Sequence, residues 1–321
     1  MIARGRLAPS PTGHLHLGNA WAFLLAWLSA RSAGGQVVLR MEDIDPQRSR
    51  PEYTAAIMDD LRWLGLDWDE GPDVGGPCGP YLQSARAQLY QRALERLESM
   101  GMLYPCFCTR RELRTLAGAP HVGDGGAPYP GTCSHLSAEE RTALLRQGRR
   151  PALRVRCDAA RERFTDMLLG PQSMSLHDCG GDFALRRSDG VIAYQLAVVV
   201  DDAAMRITQA VRGNDILAST PRQLYLARLL GLSRPRYGHI PLLLDRDGER
   251  LAKRHASLTL RALRDAGAAP QALVGLLAWL ARLQPAPTPV QPRQLCDAFR
   301  WDALPRHNIR LPARLGDIAL C

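Results

Sequence analysis

Apolar positions along the chain fall into short runs separated by Gly/Pro-rich breaks, and the spacing of each run predicts an element. Around Arg6 a short strand leads into the turn Pro9-Ser-Pro-Thr-Gly13. The apolar run Ala20–Leu28 then predicts a buried helix opening at Gly18 and Asn19. Gln36–Met41 (QVVLRM) reads as a buried strand ending in the acidic cluster Glu42, Asp43 and Asp45. Ser49, Pro51 and Glu52 predict a capping box with proline in the first turn, starting a helix through Ile57, Leu61 and Leu64. Strand, helix, strand, helix predicts an α/β chain with a parallel sheet. Ligands of such sheets bind beyond the carboxyl ends of the strands, where the turn after Arg6 and Glu42 would lie.

Further on, residues 67–84 form a Gly/Pro-rich loop before a helix with Leu89, Ala93, Leu97 and Met100 on one face and Gly101 as its stop. Arg154–Cys157 and Gln172–Leu176 read as strands. Asp182–Arg187 and the apolar run Val191–Val200 read as two more, joined by the turn Ser188-Asp189-Gly190, with Tyr194 near the start of the second. A strand over Met205–Val211 delivers Arg212-Gly213, and Thr220, Pro221 and Gln223 are expected to cap the next helix. From Ser257 the pattern is helical, with Pro270 opening a helix through Leu273, Leu276, Leu277 and Leu280, before a Pro-rich linker over residues 284–292.

Composition adds limits. With 46% hydrophobic and 23% charged residues, 321 residues hold a globular core and more than one domain, which excludes a disordered tail. The net charge of +9 suits a polyanionic partner without naming one. Arg4 and Arg6 before Ala20–Leu28 invite a signal-peptide reading. Prolines and histidines interrupt the approach, however, and cleavage would remove the turn. Ala272–Leu283 has the length of a buried helix rather than a membrane span. The expectation is a cytoplasmic protein with no membrane partner. The 8 cysteines are scattered, so no disulfide framework is expected. Cys106, Cys108 and Cys133, set around a Gly/Pro-rich loop, can supply three thiolates of a tetrahedral zinc site, with Tyr129, His121 or His135 as the fourth ligand. Of 41 basic residues only Lys253 is a lysine, which makes it a candidate for a place where only a compact ammonium works, against the alternative of a chance survivor.

The stretch Arg6–Asn19 (RLAPSPTGHLHLGN) resembles the HIGH signature of class I aminoacyl-tRNA synthetases in the form used by the glutamyl and glutaminyl branch, with Asn19 at the last histidine. YQLAVVVDD from Tyr194 and VRGNDILASTPRQ around Arg212 are similar to the second Rossmann half of the same enzymes. Arg250-Leu-Ala-Lys253-Arg254 resembles their KMSKS loop, with Arg250 at its first lysine and Ala252 at its serine. These departures put loop closure and some phosphate contacts in doubt, but not the charge of Lys253. The resemblance implies a Rossmann-type doubly wound parallel sheet with an inserted zinc-bearing module and a C-terminal helical stem-contact region. The expected division is residues 1–104, 105–181, 182–240 and 241–321. No counterpart of the anticodon-binding domain is expected.

By this resemblance His16 and Lys253 are catalytic, and Pro9, His16, Gly18, Asn19, Arg250 and Lys253 bind ATP. A substrate with two carboxylates and one ammonium is expected against Arg6, Ala8, Ser10, Glu42, Tyr194 and Arg212. The guanidiniums would take a side-chain carboxylate, Ser10 and Tyr194 would add neutral hydrogen bonds, and Glu42 would take the α-ammonium. Tyr129 holds the fourth zinc position of one branch of the family, truncated synthetases that glutamylate queuosine in tRNA(Asp). Nearly the whole chain resembles that branch. It implies ATP with Mg²⁺, L-glutamate, a structural Zn²⁺, queuosine-bearing tRNA(Asp) as acceptor, and a monomer. The competing expectations are an abbreviated synthetase charging the tRNA 3′ end, an inactive RNA-binding paralogue and a small-molecule adenylyltransferase.

Overall fold

Two parallel strand pairs form the centre of the protein in this computed structural model, which describes residues 2–109, 111–113, 129–158, 161–251 and 258–311. In the first half, β1 (Arg4–Leu7) pairs with β2 (Gln36–Leu39) across α1 (Leu17–Arg31). α2 (Pro51–Trp63), the loop and α3 (Ala87–Ser99) follow. Then comes the antiparallel insertion. It comprises β3 (Leu103–Cys106), α4 (Ala138–Arg146), β4 (Ala152–Val155), the hairpin β5 (Arg161–Asp166) and β6 (Gly170–Ser175), and β7 (Phe183–Arg186), which returns to β4.

The second half runs α5 (Tyr194–Ala204), β8 (Gln209–Gly213), α6 (Ser219–Leu230) and β9 (Arg236–Ile240), with β8 and β9 parallel. β1 and β8 lie side by side. The Thr208 N–H donates to Arg4 O (2.9 Å), and the Arg6 guanidinium reaches Val211 O (3.2 Å). From this line the strand order runs outward to β2 on one side and to β9 on the other. The carboxyl ends of β1 and β8 therefore flank a topological switch point, the place where open α/β sheets bind ligands. A short parallel pair, β10 (Leu243–Leu244) with β11 (Ile309–Arg310), α7 (Leu260–Asp265) and α8 (Pro270–Leu280) complete the described chain.

Beyond its first turns α1 is apolar round most of its circumference, because Leu24 through Ala30 are all buried. Trp21, Leu24, Leu25, Trp27 and Leu28 share one core with Leu7, Val37 and Leu39 of the sheet and with Leu273 and Leu277 of α8. Burial of the two indoles is made compatible with their polar edges by hydrogen bonds from Trp21 Nε1 to Pro241 O (2.7 Å) and from Trp27 Nε1 to Asp67 O (3.0 Å).

Several local expectations are corrected. Val191–Val200 is not the second strand of a hairpin: the turn at Gly190 (φ +89°) closes as expected, but the chain then enters helix α5. A continuous apolar run does not separate a buried helix from a buried strand. In the helix its two consecutive acids meet buried basic partners. Asp201 takes Arg86, Gln83 and Tyr90 on the α3 side and lies 3.9 Å from Arg40, which Asp202 takes at 2.7 Å on the sheet side. Arg212 lies within β8 rather than after it.

Ser49 does not cap α2, whose N-cap residue is Arg50. α6 starts from Ala218, and Thr220 and Gln223 turn toward Arg212 instead of capping. On α3 the buried face is Tyr90, Ala93, Leu94 and Leu97, with Met100 exposed. Gly101 (φ +68°) ends the helix as expected. Among the described residues no helix is long and apolar enough to cross a membrane.

Candidate active site

At the switch point a cavity of about 480 Å³ is lined by Arg6, Ala8, Pro9, Ser10, His16, Gly18, Asn19, Glu42, Tyr194, Arg212 and Arg250. Every expected substrate residue lines this one space except Lys253, which lies outside the described residues. Both described flanks of its segment are at the cavity. Leu251 lines it, and Leu260 N–H donates to Leu15 O (2.8 Å) beside the His16 turn.

β1 carries Arg6 inward and hands the chain to the turn through residues 9–13, which is tied to the end of β2 by Glu42 N–H donating to Pro9 O (2.8 Å). His16 is the N-cap residue of α1, and Asn19 Oδ1 accepts its backbone N–H (3.0 Å). Asn19 thus builds the helix start as well as lining the cavity. A Cβ at Gly18 would come 3.1 Å from the His16 ring, so glycine lets the imidazole lie against the helix opening. That opening brings the positive end of the α1 dipole to the cavity.

Charge in the cavity is held by a buried network. Arg6 is 5% and Arg212 6% exposed. Arg40, fully buried, donates to Asp202 (2.7 Å) and Glu42 (3.0 Å), and Arg6 Nε lies 3.5 Å from Asp202. Burial pushes the Glu42 carboxyl above the usual carboxylate range, against the pull of Arg40 and Arg6. The Tyr194 phenol, at the first turn of α5, is likewise raised by burial, with Arg212 and Arg6 opposing the shift. Arg212 donates to Gln223 Oε1 (2.7 Å), Thr220 Oγ1 (2.8 Å) and His239 Nε2 (3.1 Å). Among the described residues it forms no ion pair. Arg250 is exposed and pairs with Asp215 (2.5 Å).

The sulfur atoms of Cys106, Cys108 and Cys133 lie within 4.8 Å of one another. Tyr129 Oη is 3.3 Å from Cys106 Sγ and 3.6 Å from Cys108 Sγ, and Cys108 and Cys133 are 3.6 Å apart. A tetrahedron with metal–sulfur distances of about 2.3 Å has edges of about 3.8 Å, so three sulfurs and this phenol oxygen fit a tetrahedral zinc shell. His135 is exposed and outside the thiol group, and His121 lies outside the described residues. The Arg154 guanidinium stacks 3.9 Å over the Tyr129 ring and fixes it from behind.

Residues 3–289 match the family model of the catalytic domain of class I tRNA synthetases (E and Q). The chain belongs to this family. The synthetase is 62% identical over 98% of both chains to the glutamyl-Q tRNA(Asp) synthetase of Nitratidesulfovibrio vulgaris. It is 54% identical over 96% of both chains to that of Symbiobacterium thermophilum. Its fold is similar to the crystal structure of the glutamate-tRNA synthetase from Elizabethkingia anophelis. The TM-score is 0.83 at 28% identity, covering 98% of this chain and 68% of the other. It is a ligase.

Sequence reading missed the residues behind the cavity wall. Arg40 and Asp202 hold the acid and guanidinium charges in place, while Thr220, Gln223 and His239 contact Arg212 and Asp166 stands behind His239. The available signal was a histidine inside the strand Tyr237-Gly-His-Ile240, a polar side chain in a segment that is otherwise buried and apolar.

Proposed function

We propose that the synthetase activates L-glutamate with Mg²⁺-bound ATP, without tRNA, and transfers the glutamyl group to queuosine in the anticodon loop of tRNA(Asp). The observation that carries the glutamate reading is a single cavity containing two buried guanidiniums, Arg6 and Arg212, and the nearly buried carboxylate of Glu42. An acid with a second carboxylate and an ammonium complements that set. Arg6 and Arg212 take the side-chain carboxylate, Ser10 and Tyr194 add neutral hydrogen bonds along the Ala8 backbone, and Glu42 takes the α-ammonium. ATP lies along Pro9, His16, Gly18 and Asn19, with its phosphates at the α1 opening and toward Arg250 and Lys253.

In the chemical step an α-carboxylate oxygen bonds to the α-phosphorus as the bridge to the β-phosphate breaks, and pyrophosphate leaves. His16, the helix opening and Lys253 stabilise the charge that builds on the phosphates, so positioning and electrostatics supply most of the rate. No covalent enzyme intermediate is required. A zinc ion held by Cys106, Cys108, Tyr129 and Cys133 would order the insertion and take no part in the reaction. The division into residues 1–104, 105–181, 182–240 and 241–321 is kept as a proposal, with β3 crossing its first boundary and β7 of the antiparallel sheet falling just beyond its second.

The acceptor assignment is supported by relatives named glutamyl-Q tRNA(Asp) synthetase that this chain matches over nearly their full length. Its test is transfer of labelled glutamate to tRNA(Asp) with and without queuosine. Label that depends on queuosine is expected. Labelling of the 3′ end of queuosine-free tRNA would replace this acceptor with the terminal ribose.

A further inference from the structure

We infer that Asp166 and His239 are positioning residues that aim Arg212 at the side-chain carboxylate of the substrate, forming a fixed chain from the inserted module to the cavity. The inference rests on the proposed role of Arg212 and extends it to residues that do not line the cavity.

Arg212 is a buried cation with no carboxylate partner among the described residues. Its Nε donates to His239 Nε2 (3.1 Å), and its face lies 4.8 Å from the Tyr237 ring centroid. A guanidinium can only donate, and His239 Nε2 also lies 3.0 Å from Thr220 Oγ1, whose oxygen already accepts from Arg212; a lone pair on Nε2, with the imidazole proton on Nδ1, serves both contacts. Asp166 Oδ2 lies 2.6 Å from that nitrogen. The carboxylate is itself held by backbone N–H groups of Leu168 (3.0 Å), Leu169 (2.9 Å) and His239 (3.2 Å). These bonds, with His239, hold the Asp166 carboxyl below its usual range despite burial. His239 is pushed down by burial and by Arg212, which keeps the ring neutral. A fixed carboxylate therefore sets one tautomer, and that tautomer sets the direction of the guanidinium.

The arrangement differs from an ordinary buried ion pair in one useful way. A carboxylate bonded directly to Arg212 would occupy the fork that a substrate carboxylate needs. With a neutral imidazole between them, Asp166 places negative charge behind Arg212 through its Nε and leaves an N–H on each terminal nitrogen for the ligand. Asp166 ends β5, His239 is on β9 and Arg212 is on β8. Met167 N–H donating to Tyr237 O (2.8 Å) locks the hairpin to β9. The inserted module thereby contributes to amino-acid recognition.

In Asp166→Asn the backbone donors retain the amide oxygen, so the amide nitrogen faces His239 Nδ1 and drives the imidazole proton to Nε2, where it opposes Arg212. The test measures ATP–pyrophosphate exchange for the wild type, Asp166→Asn, His239→Leu and His239→Gln, with ¹⁵N imidazole NMR of the wild-type protein. Asp166→Asn and His239→Leu are expected to raise KM for glutamate by about 10-fold to 100-fold with KM for ATP unchanged. His239→Gln, which can accept from Arg212 and donate to Asp166, is expected to recover most of that loss. The NMR should place the wild-type proton on Nδ1, and this holds as a test even if a variant fails to fold. A proton on Nε2, an unchanged glutamate KM in Asp166→Asn, or a parallel rise in both KM values would overturn the inference while leaving the proposed function standing. Absence of glutamate-dependent exchange in the wild type would overturn both.

Discussion

Replacing Glu42 by glutamine isolates one charge of the proposed amino-acid site. The side chain is nearly buried, and its Oε1 accepts from Arg40 at 3.0 Å, a bond the amide oxygen of glutamine can keep. Arg40 also retains Asp202 at 2.7 Å and Asp201 at 3.9 Å as counter-charges, so the fold should lose no more than about 1 kcal/mol. What disappears is the charge facing the α-ammonium. A hydrogen bond to a charged group contributes about 1.5–3 kcal/mol, which corresponds to a rise of about 10-fold to 100-fold in KM for glutamate.

The assay is pyrophosphate exchange with glutamate and ATP varied separately, together with thermal melting. KM for ATP should be unchanged. Because burial raises the folded-state pKa of Glu42, the carboxylate is lost as pH falls through a value above the usual carboxylate range. Wild-type glutamate affinity should therefore weaken on that acid limb, and Glu42→Gln should lack the limb. A glutamate KM within about threefold of wild type, roughly 0.7 kcal/mol, would refute the assignment of Glu42 to the ammonium.

Two other predictions concern the remaining parts of the site. Lys253→Ala should abolish exchange with a wild-type melting temperature, and near-normal exchange would remove Lys253 from the mechanism. Protein purified without chelator should carry one zinc per chain by elemental analysis, and Tyr129→Phe should lose zinc to a competing chelator faster than wild type. A metal-free preparation with an ordered insertion would count against the site.

How much of this was legible beforehand follows from the physics of each signal. Arg6, His16, Gly18 and Glu42 sit where a strand ends and a turn or helix begins, so sequence order alone places them at one edge of a parallel sheet. Tyr194 and Arg212 also line the cavity, although Tyr194 was expected on a strand and sits on helix α5. The apolar run after it has the length and composition of either element. Its two acids meet Arg86 and Arg40 from far along the chain, and the local pattern does not reveal those partners. Thr220 and Gln223 carry a capping signature in sequence, yet their side chains turn to Arg212, whose buried donors need acceptors more than the helix end does. Asp166 was the least legible. Nothing in its neighbours marks it, and its meaning depends on a hairpin docking against β9.

The central claim is that the cavity at the β1–β8 switch point activates glutamate on its own. The direct measurement is ATP–pyrophosphate exchange by the purified synthetase with each protein amino acid in turn and no RNA present. The account predicts exchange with L-glutamate alone, lost on replacing Arg212. Exchange with another amino acid, or none without tRNA, would contradict it.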